Sequence, residues 1–314
     1  MRTLNRLSVF VLLCGALGAC GHDSIPVGDP NIDPNAPDEL LFQEGLAAYN
    51  AVDYDVAIAK FDELLATYPD SPRHDNSGYL VGRSYYSQRL YPDSLNAMSE
   101  MLAVHANSTF SGSALYFRGR SRFKLAGLAT PEDTYPAALT DFEESVTVDA
   151  IGTYADNATY YIGRTHYQDG NFTQALASLA EVEAMYPDSS YIDNARYYVG
   201  RTHFELGQFS EAVTAYDLVL EDTASSLRDN ARYRRGRANY AIPDYAEALL
   251  DLEDVESSFA GSIFEDNALY YRVRVHVDQA ACAEASTVLS NLQSNFAGSS
   301  YIGFSQNYMS GNGC

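Results

Sequence analysis

The chain has 314 residues, 46% of them hydrophobic, and sets 42 acidic side chains against 20 basic ones, a formal charge of -22. That imbalance keeps a protein soluble and argues against nucleic acid or an anionic lipid surface as a partner of the molecule as a whole.

Residues 1–19 read as a signal peptide. Arg2 and Arg6 supply a basic start, and the eleven residues Leu7 to Leu17 form an apolar run too short to span a bilayer. The run ends in Leu17-Gly18-Ala19-Cys20, which resembles the lipobox of bacterial lipoproteins. That resemblance implies cleavage before Cys20, lipidation of its thiol and membrane attachment through the acyl chains. An ordinary signal peptide with a chance cysteine is the alternative. Gly21, rather than Asp, follows the cysteine, which by the enterobacterial sorting rule resembles an outer-membrane destination. Cleavage would remove two arginines and no acid, taking the charge from -22 to -24. Residues 20–37, with Pro26, Pro30, Pro34 and Pro37 among Gly, Asp and Asn, read as a disordered tether.

From residue 38 to 300 one pattern returns seven times, starting at Asp38, Asp75, Gly112, Asp156, Asp193, Asp229 and Asp266. The offsets are 37, 37, 44, 37, 36 and 37, so the third copy carries about seven extra residues, expected between its two helices. Self-similarity at this period predicts a stack of helical hairpins. In the copy at Asp193, that residue is expected to cap a first helix carrying Tyr197, Val199, Gly200 and Phe204 and ending at Gly207. A second helix carries Phe209, Ala212, Tyr216, Val219 and Leu220. The small pair Gly200/Ala212 recurs as Gly45/Ala57, Gly82/Ser94, Gly119/Ala138, Gly163/Ala175 and Gly236/Ala248. A large apolar residue recurs as Phe61, Met98, Phe142, Leu179, Tyr216, Leu252 and Leu289. Residues 301–314 remain as a C-terminal tail.

Small residues at copy positions eight and twenty, the large one at twenty-four, and the prolines of Tyr68-Pro69 and Tyr186-Pro187 resemble the tetratricopeptide repeat. The resemblance implies an all-α fold, a right-handed superhelical solenoid of seven such hairpins. The lengthened period and joints such as PDSPRH and PDSSYI resemble two groups of bacterial envelope proteins. These are the outer-membrane β-barrel-assembly lipoproteins and the Tol–Pal-associated periplasmic repeat proteins. In such solenoids the first helices line the inner wall. Carried onto this chain, that wall holds Asn76, Tyr79 and Arg83; Tyr116 and Arg120; Asn157, Tyr160 and Arg164; Asn194, Tyr197 and Arg201; and Asn230, Tyr233 and Arg237. Asn would hold a peptide backbone, Tyr its side chains and Arg its acidic groups. A structural use of the same residues is the competing expectation, each Arg pairing with the Asp that opens the next copy. Phe42 and Leu46 would give the first copy a distinct, apolar partner surface.

Of four cysteines, Cys282 and Cys314 are left in the exported chain and form a natural disulfide pair, two free thiols being the alternative. Their 33-residue loop is worth about 3–4 kcal/mol in the chain-entropy model. His166, His203 and His276 recur at one copy position, too far apart for a shared metal and expected to pack between helices. The acidic run Asp251, Glu253, Asp254 and Glu256 is expected to be a solvated face. No nucleotide, metalloprotease or hydrolase signature is present in the sequence. The expectation is a non-enzymatic, cofactor-free scaffold, lipid-anchored at the periplasmic face of the outer membrane and binding an envelope protein or peptide segment during outer-membrane protein assembly. Tol–Pal-type maintenance of cell wall and outer membrane, or binding of a glycan, are the alternatives.

Overall fold

In the computed structural model, residues 33–127 and 135–314 are described. The signal peptide, Cys20, most of the tether and the extra residues of the third copy lie outside them. Among the described residues there are fifteen helices and no strand. The first helices of the seven hairpins are α1 (Pro37–Asn50), α3 (His74–Ser87), α5 (Ser111–Ala126), α7 (Ala155–Gln168), α9 (Ile192–Glu205), α11 (Arg228–Ala241) and α13 (Glu265–Asp278). Their partners are α2 (Tyr54–Thr67), α4 (Tyr91–Val104), α6 (Tyr135–Val148), α8 (Phe172–Met185), α10 (Phe209–Glu221), α12 (Tyr245–Ser258) and α14 (Cys282–Asn295). Each helix packs on its neighbours in the chain. In addition α3 touches α5, α7 touches α9, and α11 touches both α9 and α13, a set of contacts between first helices that the second helices do not match. The first helices therefore stand closer together and line the inside of the curve.

The recurrent small residue lets the two helices of a hairpin meet. A Cβ added at Gly45, Gly82, Gly119, Gly163, Gly200 or Gly236 would come within 2.6–3.0 Å of Phe61, Met98, Phe142, Leu179, Tyr216 or Leu252, respectively. Those large side chains lie across the glycines and are buried to within 1% of completely. The seventh hairpin replaces the glycine with Val273, also fully buried.

Asp193 does not cap α9; the cap position belongs to Tyr191, and Asp193 is the second helical residue. The other opening aspartates are likewise inside the helix, and their carboxylates are used between copies. Ser71, Ser108, Ser189, Ser262 and Ser299 donate to Asp38, Asp75, Asp156, Asp229 and Asp266 over 2.5–2.9 Å, each pair 33 residues apart. The same serine oxygens accept the backbone N–H two residues on, so one hydroxyl shapes the joint and ties it to the preceding copy.

The stack ends on a half unit. Residues Tyr301–Gly311 fold as α15, packed on α13 and α14 in the place a further first helix would take. Ser299 makes the usual bond to Asp266, and Tyr301 stacks on Tyr270 at 5.2 Å. Cys314 is bonded to Cys282 with Cα atoms 5.2 Å apart, fastening the end of α15 to the start of α14.

Candidate functional site

The inner wall is built by two interlocking rows. Counting from each opening residue, position five is an aromatic that meets a second aromatic two residues before the next copy. Tyr79 stacks on Phe110, Tyr116 on Tyr154 and Tyr233 on Phe264, with centroids 4.7–5.3 Å apart, and Tyr160 meets Tyr191 at 4.9 Å. Such pairs add about 0.5–1.5 kcal/mol beyond the burial of their surface. Position nine is the arginine, and it lies between rings from both neighbours. Arg120 sits 5.1 Å from the Tyr86 centroid and 4.5 Å from Tyr161; Arg164 sits 5.1 Å from Phe123 and 4.8 Å from Tyr198. Arg83, Arg237 and Arg274 repeat this geometry. In the sixth copy Arg234 stands where the following aromatic should be, so Arg201 has only Tyr167 from its neighbours, at 4.7 Å, with Tyr198 of its own copy at 5.0 Å.

The arrangement revises the expected division of labour. Tyr79, Tyr116, Tyr160, Tyr197 and Tyr233 are at most 6% exposed, so their rings are core and not a surface for peptide side chains. Burial pushes the hydroxyls of Tyr116 and Tyr160 well above the ordinary tyrosine range, and they stay protonated. Asn76 is buried, while Asn157, Asn194 and Asn230 are half-buried. Asn157 donates to Tyr116 Oη at 3.2 Å and Asn230 accepts from Tyr197 Oη at 3.3 Å, so these amides join copies. Phe42 and Leu46 are not an apolar surface either. Phe42 is 1% exposed beneath Arg73, whose guanidinium lies 4.7 Å from its ring and forms a buried two-point pair with Glu39 at 2.7 and 3.2 Å.

Nor do the inner arginines pair with the opening aspartates. Among the described residues Arg120, Arg164, Arg201, Arg237 and Arg274 form no ion pair. The outer arginines behave oppositely. Arg118 and Arg122 bind Asp141, Arg196 binds Glu183, Arg232 and Arg235 bind Asp251, and Arg272 binds Glu253 and Glu256. Thus the acidic run on α12 is not a solvated face. Asp251 is 1% exposed, and its neighbours clasp arginines from α11 and α13. Among the described residues, then, the outer arginines have carboxylate partners and these five inner ones have none.

Arg120 and two cations outside the repeated ladder, Arg89 and Lys124, meet at a cavity of about 550 Å³ between the second and fourth hairpins. Its walls are Arg83, Arg89, Arg120 and Lys124 with Tyr86, Tyr91, Tyr116, Phe117, Tyr154, Tyr191, Ser87 and Asn157, and no carboxylate lines it among the described residues. Partial burial, and then the nearby Arg120, Arg164 and Arg89, lower the pKa of Lys124. Of the sequence-derived groove residues, Arg83, Tyr116, Arg120 and Asn157 meet here; the others continue along the wall. Arg89 and Lys124 were missed because neither recurs from copy to copy. Tyr154 and Tyr191 had a signal in the aromatic two residues before successive openings. His166, His203 and His276 are half-buried, and no three His, Cys, Asp or Glu side chains are placed to hold a metal among the described residues.

The chemistry available is recognition of an anionic, extended ligand by fixed guanidinium edges set among rings.

Comparison with known proteins agrees with this architecture. The sequence model of the outer membrane lipoprotein family YfiO matches residues 34–148, and that of a tetratricopeptide repeat matches 132–190 and 194–261. No protein of curated function matches the sequence. Among solved structures, the C-terminal part of a repeat protein from Cytophaga hutchinsonii superposes with a TM-score of 0.65 at 17% identity, covering 84% of this chain and 98% of that one. A tetratricopeptide repeat protein from Parabacteroides merdae gives 0.58 at 15% identity, covering 88% and 99%. PilW, a widely conserved type IV pilus biogenesis factor, gives 0.57 at 15% identity, covering 73% and 96%. At such identities the likeness concerns the fold. The fold is an all-α solenoid of the tetratricopeptide-repeat kind; over residues 132–190 and 194–261 the sequence resembles that repeat, and over 34–148 the YfiO outer membrane lipoproteins.

Proposed function

We propose that the protein is a lipid-anchored, non-enzymatic scaffold at the periplasmic face of the outer membrane, receiving an acidic segment of an envelope protein in its inner groove during outer-membrane protein assembly. The observation that carries this reading is a cavity lined by Arg89, Arg120 and Lys124, with no carboxylate among the described residues of its walls, in a chain of formal charge -22. Its position supports the assembly role, since Arg83, Arg89, Arg120 and Lys124 fall inside the stretch that matches the YfiO lipoproteins. Attachment would come from Cys20, and the Cys282–Cys314 bond is the form expected in an oxidising compartment.

The test uses crosslinked envelopes. Partners captured by the wild type are compared with those of an Arg89→Gly, Lys124→Ala variant, which removes two exposed cations at the cavity without touching the ring stacks. Arg89 has φ +65°, a conformation glycine adopts freely. Loss of a barrel-assembly partner from the variant, with circular dichroism unchanged, supports the reading. An identical partner set refutes the groove. Capture of Tol–Pal components in place of assembly factors refutes the assembly role. Fractionation of a Cys20→Ser variant tests the anchor, which is wrong if that variant stays with the membrane.

A further inference from the structure

A second cleft opens on the outer face, where α3 is flanked by α2 and α4. It has a volume of about 210 Å³, an apolar floor that includes Val81 and Met101, and the carboxylates of Asp62 and Glu100 at its sides. The sixth hairpin shows how the fold treats such acids. There Arg235, at copy position seven, pairs with Asp217 of the preceding second helix, and Arg232, at position four, pairs with Asp254 of its own second helix at 2.7 Å. Asp62 and Glu100 hold the copy positions of Asp217 and Asp254. The arginine positions, however, are occupied by Val81 and Gly78. Acids are present where the sixth hairpin has acids, and the space its guanidinium groups fill is open.

We infer that this cleft receives the guanidinium group of an arginine side chain presented by a partner protein, which takes the place left by the two missing internal arginines. The stem of that side chain would lie on Val81 and Met101 while its planar head reaches Asp62 and Glu100, two acceptors that a fork of N–H donors can serve together. Asp62 already registers the unrelieved charge, its carboxyl being pushed up by partial burial and by Glu100. Arginine fits better than lysine because the one such acid pair that the fold closes for itself, Asp217 and Asp254 of the sixth hairpin, is closed with guanidinium groups, and position seven of the seventh hairpin meets Glu253 in the same way, whereas the one lysine bridge among the described residues, Lys60–Glu44, starts from another position. The fourth hairpin supplies a contrast. It has Glu143 and Glu181 at the same two acidic positions and likewise no arginine, but Thr159 places a buried side chain where Gly78 has none. The acid pair alone is therefore not the feature; the open floor is. On the other wall His74 Nδ1 lies 2.8 Å from His105 Nε2, and burial with His105 beside it lowers the pKa of His74, which disfavours a cation there.

Methionine methyl NMR on the full chain in detergent gives a direct test, because Met101 lines the cleft while the exposed Met185 and the distant Met309 serve as controls. The probe is N-acetyl-arginine methylamide, with the lysine analogue in parallel. A saturable shift confined to Met101 is expected, abolished in Val81→Arg and weakened about fivefold in Asp62→Asn or Glu100→Gln. Val81→Arg sets a guanidinium of the chain's own beside Asp62 and Glu100, although Ala97 stands where the sixth hairpin has Asp251. Should that variant fail to fold, the two surface substitutions still decide. No saturable Met101 shift, a shift that survives Val81→Arg, or an equal response to the lysine analogue overturns the assignment.

Discussion

Arg73 offers the sharpest test of how the first hairpin is held. It stands two residues before the second copy, where most other copies place an aromatic on the ring of the copy before. Here the ring is Phe42, and the arginine covers it at 4.7 Å while pairing with Glu39, the two side chains being 8% and 7% exposed. Arg73→Ala removes both charge-assisted bonds and leaves a buried carboxylate whose remaining hydrogen bond among the described residues is from the Gln43 amide, at 2.7 Å. Breaking one side of a buried pair costs about 3–5 kcal/mol, and loss of the ring contact adds about 1 kcal/mol. Because each unit of a solenoid contacts only its neighbours, that loss should stay local. Hydrogen exchange by mass spectrometry should show α1 and α2 opening early, with α9 to α14 unchanged, and urea unfolding should gain a low-denaturant phase. The triple change Glu39→Asn, Phe42→Tyr, Arg73→Tyr installs the stack used elsewhere and should return the hairpin to within about 1 kcal/mol of wild type. A loss below about 1 kcal/mol for Arg73→Ala, or a triple variant as unstable as the single one, would refute the reasoning.

Three further outcomes can be checked by ordinary means. Gly200→Ala should lower the melting temperature, because the new Cβ meets the rigid Tyr216 ring at 2.6 Å and overpacking costs about 1–3 kcal/mol; Gly82→Ala should cost less, because the side chain it meets is the flexible Met98. Cys314→Ser should release α15, costing about 3–4 kcal/mol of local stability while leaving the first hairpin untouched; quantitative thiol alkylation of the unreduced wild type would contradict the bond. Lys124 has a lowered pKa from burial and from Arg120, Arg164 and Arg89, so a bound anion, which favours the ammonium, should raise it. Binding of an acidic peptide should then take up protons and weaken as pH rises through the depressed pKa of Lys124, seen as buffer-dependent heat in calorimetry that vanishes in Lys124→Ala.

The hairpins were legible because their cause is local and repeated: a glycine and a large residue sixteen positions on must recur wherever two helices cross closely. The aspartates were legible as residues but not in their role, since a cap and an inter-copy acceptor look alike until the serine 33 residues later is read with them. The inner ladder was found by position and misread in detail. Periodicity marks which side chains point inward, but burial depends on what the next copy brings. Tyr116 was expected at the surface and is covered by Tyr154, an aromatic outside the pattern that was followed. Arg89 and Lys124 could not be seen at all, because a cavity formed by three hairpins has no signature along one of them. The pairing of Asp251 was hidden for the same reason, its partners Arg232 and Arg235 lying on the preceding helix.

The two populations of arginine explain why so acidic a chain can present a basic groove. An arginine on the outer face meets carboxylates from second helices, and its charge is cancelled where it stands. On the inner face the same residue meets tyrosine and phenylalanine rings, which hold the cation through their faces without neutralising it. Ring stacking therefore fixes the guanidinium groups in register, copy after copy, at little cost to their field. If the inner arginines were held by aspartates, their order would be the same but the groove would be neutral. A ligand would then find shape without attraction. The aromatic row separates the two, keeping the solenoid rigid and its inner charge available.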